Sequence, residues 1–359
     1  MDKIPFWLKS QILKYYICHL NSSDLISLYT HPYLVEILEQ LSFKEWSQIY
    51  QNIQTLISAG WVHSLAITTN GQIVAWGDNS FGKCNTPILP DGTHYLAVSA
   101  GRYHNLALRS DGQIVAWGYD KFGQCTNIPV LENGSLYLSV SAGRQHSLAL
   151  NSDGQIVAWG NDYHGQCRIP VLPNGVRYIA VSAGEFHSLA IRSDGQIVAW
   201  GNDDHGQCTN IPTLQKETHY VVISAGGGYS LALSNDGQIV AWGYDRDGQC
   251  SQIPVGSHYL SVSAGTSHNL AIRNDGKILA WGYDEFGQCS RIPTLPDSPK
   301  ETRYLTVSAG GNHSLALRSD GQIVAWGKNK DGQCIQIPSL FEILYLSFKS
   351  WSMCGRIPS

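Results

Sequence analysis

Charge is scarce in this chain of 359 residues: 14% are charged, and 24 Lys and Arg against 28 Asp and Glu leave a formal net charge of -4. That balance offers no basic footprint able to neutralise several phosphates, so direct nucleic-acid binding is not expected. Long apolar runs are missing too. The opening MDKIPFWLKSQILKYYICHL is interrupted by Lys3, Lys9, Gln11 and Lys14, which leaves no signal-peptide core and no membrane span. The expected location is intracellular, in the cytoplasm rather than the nucleus. Close cysteine pairs are also lacking. Seven of the nine cysteines (Cys84, Cys125, Cys167, Cys208, Cys250, Cys289, Cys334) recur about forty residues apart, without the C-x-x-C spacing of zinc or redox sites. They read as reduced, half-buried thiols. No G-x-S-x-G, H-E-x-x-H or P-loop string occurs. No enzyme, cofactor or metal site is expected.

What is abundant is repetition. SDGQIVAWG stands at 110 to 118 and returns unchanged at 152 to 160, 193 to 201 and 319 to 327, with near copies elsewhere. Aligned on Ser-Ala-Gly, the copies start at Ser58, Ser99, Ser141, Ser182, Ser224, Ser263 and Ser308, and are 39 to 45 residues apart. A period of this size means one supersecondary unit copied along the chain. Within each copy, YLAVSAG and HNLALR alternate large and small side chains, and Asp111-Gly112 supplies a hairpin turn into QIVAWG. A second turn, YDKFGQC, leads through Ile128-Pro129 to a weaker outer strand, where proline is tolerated.

The alternation also predicts how units pack. In HNLAL, Leu106 and Leu108 point one way and Asn105 and Ala107 the other, so a bulky face of one sheet fits the lean face of the next. An open stack would leave exposed edges, whereas seven such units can close into a ring. The fold expected is all-β: a seven-bladed β-propeller over 51–359, with a small helical module over 1–50. Helical spacing of Leu8, Ile12, Leu13 and Tyr16, caps at Ser22 and Ser23, and a start at Pro32 indicate that module. Two segments compete for the inner strand of the first blade, IQTLI (53 to 57) and LYLSF (344 to 348), and the second matches the repeat better.

The string S-A-G-x-x-H-S-L-A-L, then D-G-Q-I-V-A-W-G, then G-Q-C, resembles the repeat of the regulator of chromosome condensation family over 58 to about 338. A WD repeat would place Trp-Asp where Trp76-Gly77 stands, and kelch blades need Gly-Gly pairs that occur here only in isolation. The resemblance implies a seven-bladed propeller and, as one possible activity, guanine-nucleotide exchange on a Ran-like small GTPase. Against that activity, the copies here are shorter, and no segment matches the projecting hairpin or the basic tail of the founding member. The head is similar to an F-box through Ile4-Pro5, Ile12-Leu13, Tyr15, Asp24-Leu25 and Leu28, which would imply an Skp-type adaptor and a ubiquitin-ligase role.

Features present in every copy are poor candidates for a single active site. The repeated His63, His104, His146, His187, His268 and His313, with Tyr229 in the fifth copy, read as packing positions, and the repeated aspartates as turn formers. Function is sought where the copies disagree. The pair between Gly and His varies most, and places Trp61, Arg102, Tyr103, Arg144, Glu185 and Phe186 on one rim. This is the aromatic and arginine mixture of protein interfaces. The turn residues Tyr119 to Phe122, Asn161 to His164 and their counterparts form a second candidate surface. The expectation is a monomeric interaction propeller that binds a protein partner through a loop rim.

Overall fold

The computed structural model describes residues 55–68, 70–132, 134–215, 218–256, 259–296, 302–335 and 337. The helical module expected over 1–50 lies outside them. The described residues form seven antiparallel sheets of three strands each. Blade 1 comprises Ile57–Ala59, His63–Ile67 and Ile73–Gly77. Blade 2 comprises Tyr95–Ala100, His104–Arg109 and Ile114–Gly118, and the pattern continues to blade 7, with Tyr304–Ala309, His313–Arg318 and Ile323–Gly327. In each blade the strands run inner, middle, outer. The Asp-Gly turns take positive φ at the glycine, 74° at Gly112, as the sharp hairpin requires.

The packing follows the alternation. Leu106 and Leu108 of blade 2 lie against Ala149 and Trp159 of blade 3, and Leu189 and Ile191 of blade 4 against Ala232 and Trp242 of blade 5. At the seam, Leu315 and Leu317 of blade 7 share one core with Ala66 and Trp76 of blade 1. The ring is therefore closed. Tyrosines that begin six inner strands (Tyr95, Tyr137, Tyr178, Tyr220, Tyr259, Tyr304) donate their hydroxyls to the proline carbonyl in the loop just before them.

The inner strand of blade 1 is Ile57–Ala59, and the competing LYLSF segment lies outside the described residues. Ile57 pairs with Ala66, and Ile67 N donates to Leu56 O at 2.9 Å. A strand three residues from its partner closes a much shorter loop than one from the far end of the chain, so it costs less entropy. One expectation is corrected: the further strand expected after Ile128-Pro129, outside the three of each blade, does not form among the described residues. Its proline lacks a donor, and Val130 beyond it is 91% exposed.

Candidate functional site: one face of the ring

Four hydrogen-bonding devices recur in every blade and explain the repeated letters. First, the serine of Ser-Ala-Gly accepts from the alanine N–H of the next blade at 2.9–3.0 Å, and Ala59 N donating to Ser308 Oγ completes the circle. Second, each tryptophan Nε1–H donates to a carbonyl in the G-Q-C turn of the preceding blade at 2.8–3.1 Å.

Third, each repeat histidine reaches the next blade. His104, His146, His187, His268 and His313 meet Ser147, Ser188, Ser230, Ser314 and Ser64 through Nε2, and His63 meets Asn105 Oδ1, all at 2.6–3.1 Å. Ser147 Oγ donates onward to Gln124 O, so it accepts from His104, which fixes the proton on Nε2. Asn105 Nδ2 likewise donates to Lys83 O, leaving its carbonyl for His63. Tyr229 performs the same task with its hydroxyl, donating to Asn269 Oδ1 at 2.9 Å. Burial holds the six imidazoles neutral, with pKa values lowered to about 3 at His104, His146 and His313, and to about 4 at His63, His187 and His268. No group of three or more metal-ligating side chains forms among the described residues. The histidines couple blades.

Fourth, Asp120 and its counterparts accept from the cysteine N–H five residues on, at 2.6–2.9 Å, and that cysteine's Sγ lies 3.3–3.6 Å from the carbonyl of the residue just after the outer strand. Burial, aided by the neighbouring aspartate, pushes the thiols of Cys125, Cys167, Cys208, Cys250 and Cys289 up to about 12. These thiols are inert. In the folded protein, iodoacetamide at neutral pH is expected to alkylate them about a thousandfold more slowly than in denaturant, because the reactive thiolate is that much rarer. Peptide mapping after timed labelling measures this, and comparable folded and denatured rates would sink it.

With the repeated residues so occupied, the variable ones are free to face outward. The inner strand rises to one face, the middle strand descends, and the outer strand returns. The Gly-to-His loops and the G-Q-C turns therefore share a face, with the Asp-Gly turns opposite. All six rim residues predicted from the sequence come together there, from blades 1 to 4. The Arg102 guanidinium lies 3.5 Å over the Trp61 ring, its Nε donates to the Tyr103 hydroxyl at 3.0 Å, and its Nη1 pairs with Glu185 at 2.6 Å. Arg144 meets the same carboxylate at 3.5 Å and lies 4.6 Å over Phe186. Each of the six is half-buried.

The second variable set is not a separate surface. Tyr119 is 5.8 Å from Tyr103 centroid to centroid, and His164 is 5.0 Å from Phe186. Both sets build one aromatic field. Phe81, 6.2 Å from Tyr103 and 4.9 Å from Tyr119, belongs to it and was not picked out from the sequence. Its signal was Lys83, which replaces the glutamine of the other G-Q-C turns. That glutamine accepts from the backbone of its own turn, as Gln124 Oε1 does from Phe122 N. An ammonium cannot accept, and Lys83 instead pairs with Asp78 at 2.6 Å. The blade 1 turn tightens into a 3-10 helix, Ser80–Gly82, with Phe81 at φ 62° and 57% exposed. A bulky residue in the left-handed region is a strained position.

Around the rest of the face the loops are lean: Gly227-Gly228 in blade 5, Thr266-Ser267 in blade 6 and Gly311-Asn312 in blade 7. The axial channel opens among these loops in a cavity of about 110 Å³. A closed ring whose repeats are spent on holding its blades together, and whose variable side chains gather on one face, defines a seven-bladed β-propeller of near-identical repeats. Seven matches to the regulator of chromosome condensation (RCC1) repeat, at 55–83, 96–124, 138–166, 178–207, 220–249, 260–288 and 305–333, cover more than half of the chain. The chain belongs to the RCC1-repeat family.

Solved structures with the same fold include Prp20p of Saccharomyces cerevisiae, at 20% identity and a TM-score of 0.61, covering 83% of this chain and 85% of that one. The ectodomain of the Arabidopsis thaliana receptor kinase ACR4 matches at 21% identity and 0.61, covering 79% and 98%, and human WBSCR16 at 21% and 0.57, covering 69% and 81%. Prp20p was solved with a study of its binding to Gsp1p and histones. Comparison with curated protein sequences finds no match. Nothing in the comparisons supports the F-box resemblance of the head.

Proposed function

We propose that this propeller is a non-enzymatic interaction module that holds a protein partner on the face built by blades 1 to 4. One observation carries the reading: Trp61, Arg102, Tyr103, Arg144, Glu185 and Phe186, from four successive blades, form one connected half-buried cluster. Large aromatics and arginine with little entropy left to lose are the side chains that dominate interface energies. The structural duties of the blades call for none of them. Full-length protein as bait, followed by cross-linking and peptide mapping, is expected to place partner contacts on this face. The double change Trp61→Ala and Phe186→Ala is expected to weaken retention about a hundredfold, from roughly 1 to 2 kcal/mol at each anchor. Undiminished retention by a folded double variant removes the reading.

A second reading, guanine-nucleotide exchange on a Ran-like small GTPase, is favoured by the likeness to Prp20p. The absence of a projecting hairpin among the described loops weighs against it. A fluorescent-nucleotide release assay over small GTPases decides it, and no acceleration removes it. The ligase reading, with an Skp-type adaptor on the head, rests on residues outside those described, and no observation favours it.

A further inference from the structure

The charges at the channel mouth are unequal. Arg102 and Arg144 both turn to Glu185, so two guanidiniums share one carboxylate. Arg102 holds it at 2.6 Å in a tight pair, while Arg144 reaches its other oxygen only at 3.5 Å. The Arg144 Nε–H is buried and has no acceptor among the described residues. A guanidinium presents five donors in a fixed planar fork that a carboxylate matches two at a time. Arg144 here uses its fork incompletely, although Phe186 at 4.6 Å holds it in place.

Beside this group the mouth is open. The cavity of about 110 Å³ is bounded on the arginine side by Trp61, Arg102, Arg144 and Glu185, and around the rest of the ring by Gly227, Thr266 and Gly311, of which only Thr266 contributes a side chain. It is a recess of side-chain size, with its cationic wall on one side.

We infer that this mouth receives an acidic side chain, Asp or Glu, from an extended segment of the partner protein, which pairs with Arg144 and balances the two guanidiniums with two carboxylates. The inference rests on the partner-binding reading above and names the chemistry that reading leaves open. Nucleic-acid phosphate is the less fitting anion, because the recess admits one side chain and offers no row of cations for successive phosphates.

The full-length protein is titrated against a short fluorescein-labelled Glu-Gly peptide and its Gln-Gly counterpart, read by anisotropy at low salt. The Glu peptide is expected to bind and the Gln peptide not. Arg144→Gln is expected to weaken binding roughly fivefold, the ratio that one partly exposed ion pair supplies. Glu185→Gln removes the internal competitor from the surface without touching the core, and is expected to strengthen binding by a similar factor. Arg192→Gln makes the same charge change on the opposite face, where Arg192 pairs with Asp194, and is expected to change nothing. The inference is overturned if the two peptides bind alike, if Arg144→Gln and Arg192→Gln behave alike, or if Glu185→Gln fails to strengthen binding. It is also overturned if a single-stranded oligonucleotide competes as well as the Glu peptide. Flat peptide titrations beside a partner still lost on Trp61→Ala and Phe186→Ala remove the acidic ligand and leave the rim reading standing. Full retention by that double variant removes the rim reading itself.

Discussion

Acidification to about pH 5 is expected to unfold the ring in one steep step, and the six buried histidines set where it falls. In the unfolded chain each imidazole titrates near its ordinary value of 6.5, whereas in the fold the values lie at about 3 to 4, because no water reaches the rings. Below 6.5 the unfolded state therefore takes up protons that the folded state refuses. The stability that neutral histidine provides is complete above 6.5 and drains away as the pH falls towards 4. Each histidine then costs up to about 1.4 kcal/mol per pH unit. One unit below 6.5, six together cost on the order of 8 kcal/mol, against a total stability of about 5 to 15 kcal/mol for an ordinary fold. Carboxylates whose values are lowered in the fold, such as Asp203 and Asp284, contribute only at lower pH, so the two windows are distinct. Guanidinium unfolding curves at successive pH values measure the effect. A slope of about five protons taken up on unfolding between pH 6 and 5 is expected, and a slope below about two would falsify the neutral ring.

Much of this was legible in the sequence, and the reasons divide by physics. Local rules carried the blade: Asp-Gly fixed the hairpin, and the alternation in HNLAL fixed which face of each sheet is bulky, as Leu106 against Ala149 bears out. Comparing the copies carried the candidate surface, because a position bound to the geometry of every blade cannot vary, while Trp61, Arg102 and Phe186 do. Non-local relations stayed hidden. That Tyr119 and Tyr103 share a face depends on the outer strand returning to the level where the inner one ended. No spacing in the sequence reports that return, so the two variable sets were separated. The inner strand of blade 1 was open for a similar reason: LYLSF fits the repeat better, but likeness to a pattern competes with the loop entropy of a nearer segment. The histidines were recognised as structural, yet their chain from one blade's imidazole to the next blade's serine and back to a glutamine carbonyl joins three parts of the repeat that are remote in sequence.

Gly143→Ala is expected to destabilise the protein by roughly 3 kcal/mol, while Gly228→Ala, in the corresponding loop of blade 5 on the same face, costs less than about 1 kcal/mol. Neither glycine has positive φ, so backbone preference does not separate them. Contact does. A Cβ on Gly143 would stand 2.4 Å from His146 Cε1 and 2.6 Å from the Gly184 carbonyl, whereas one on Gly228 meets nothing nearer than His205 Cδ2 at 3.3 Å. Neither neighbour of Gly143 can withdraw. His146 is tied through Nε2 to Ser188 of the next blade, and Gly184 belongs to that blade's own Ser-Ala-Gly turn, whose N–H is bonded to His187 O. The same close approach recurs around the ring, from Gly60 against Gly101 O to Gly310 against Gly60 O, so the glycine of every Ser-Ala-Gly is the point where adjacent blades touch backbone to backbone. Its missing side chain makes room for the histidine ring, and the histidine in turn reaches the serine that locks the next blade. A methyl at one such point must either push the imidazole off its partner or spread two blades, and in a closed ring the spreading has no free edge at which to relax. Denaturant unfolding of the two variants beside the unchanged chain tests this, and equal midpoints for Gly143→Ala and Gly228→Ala would mean that the blades are not held by backbone contact at this seam.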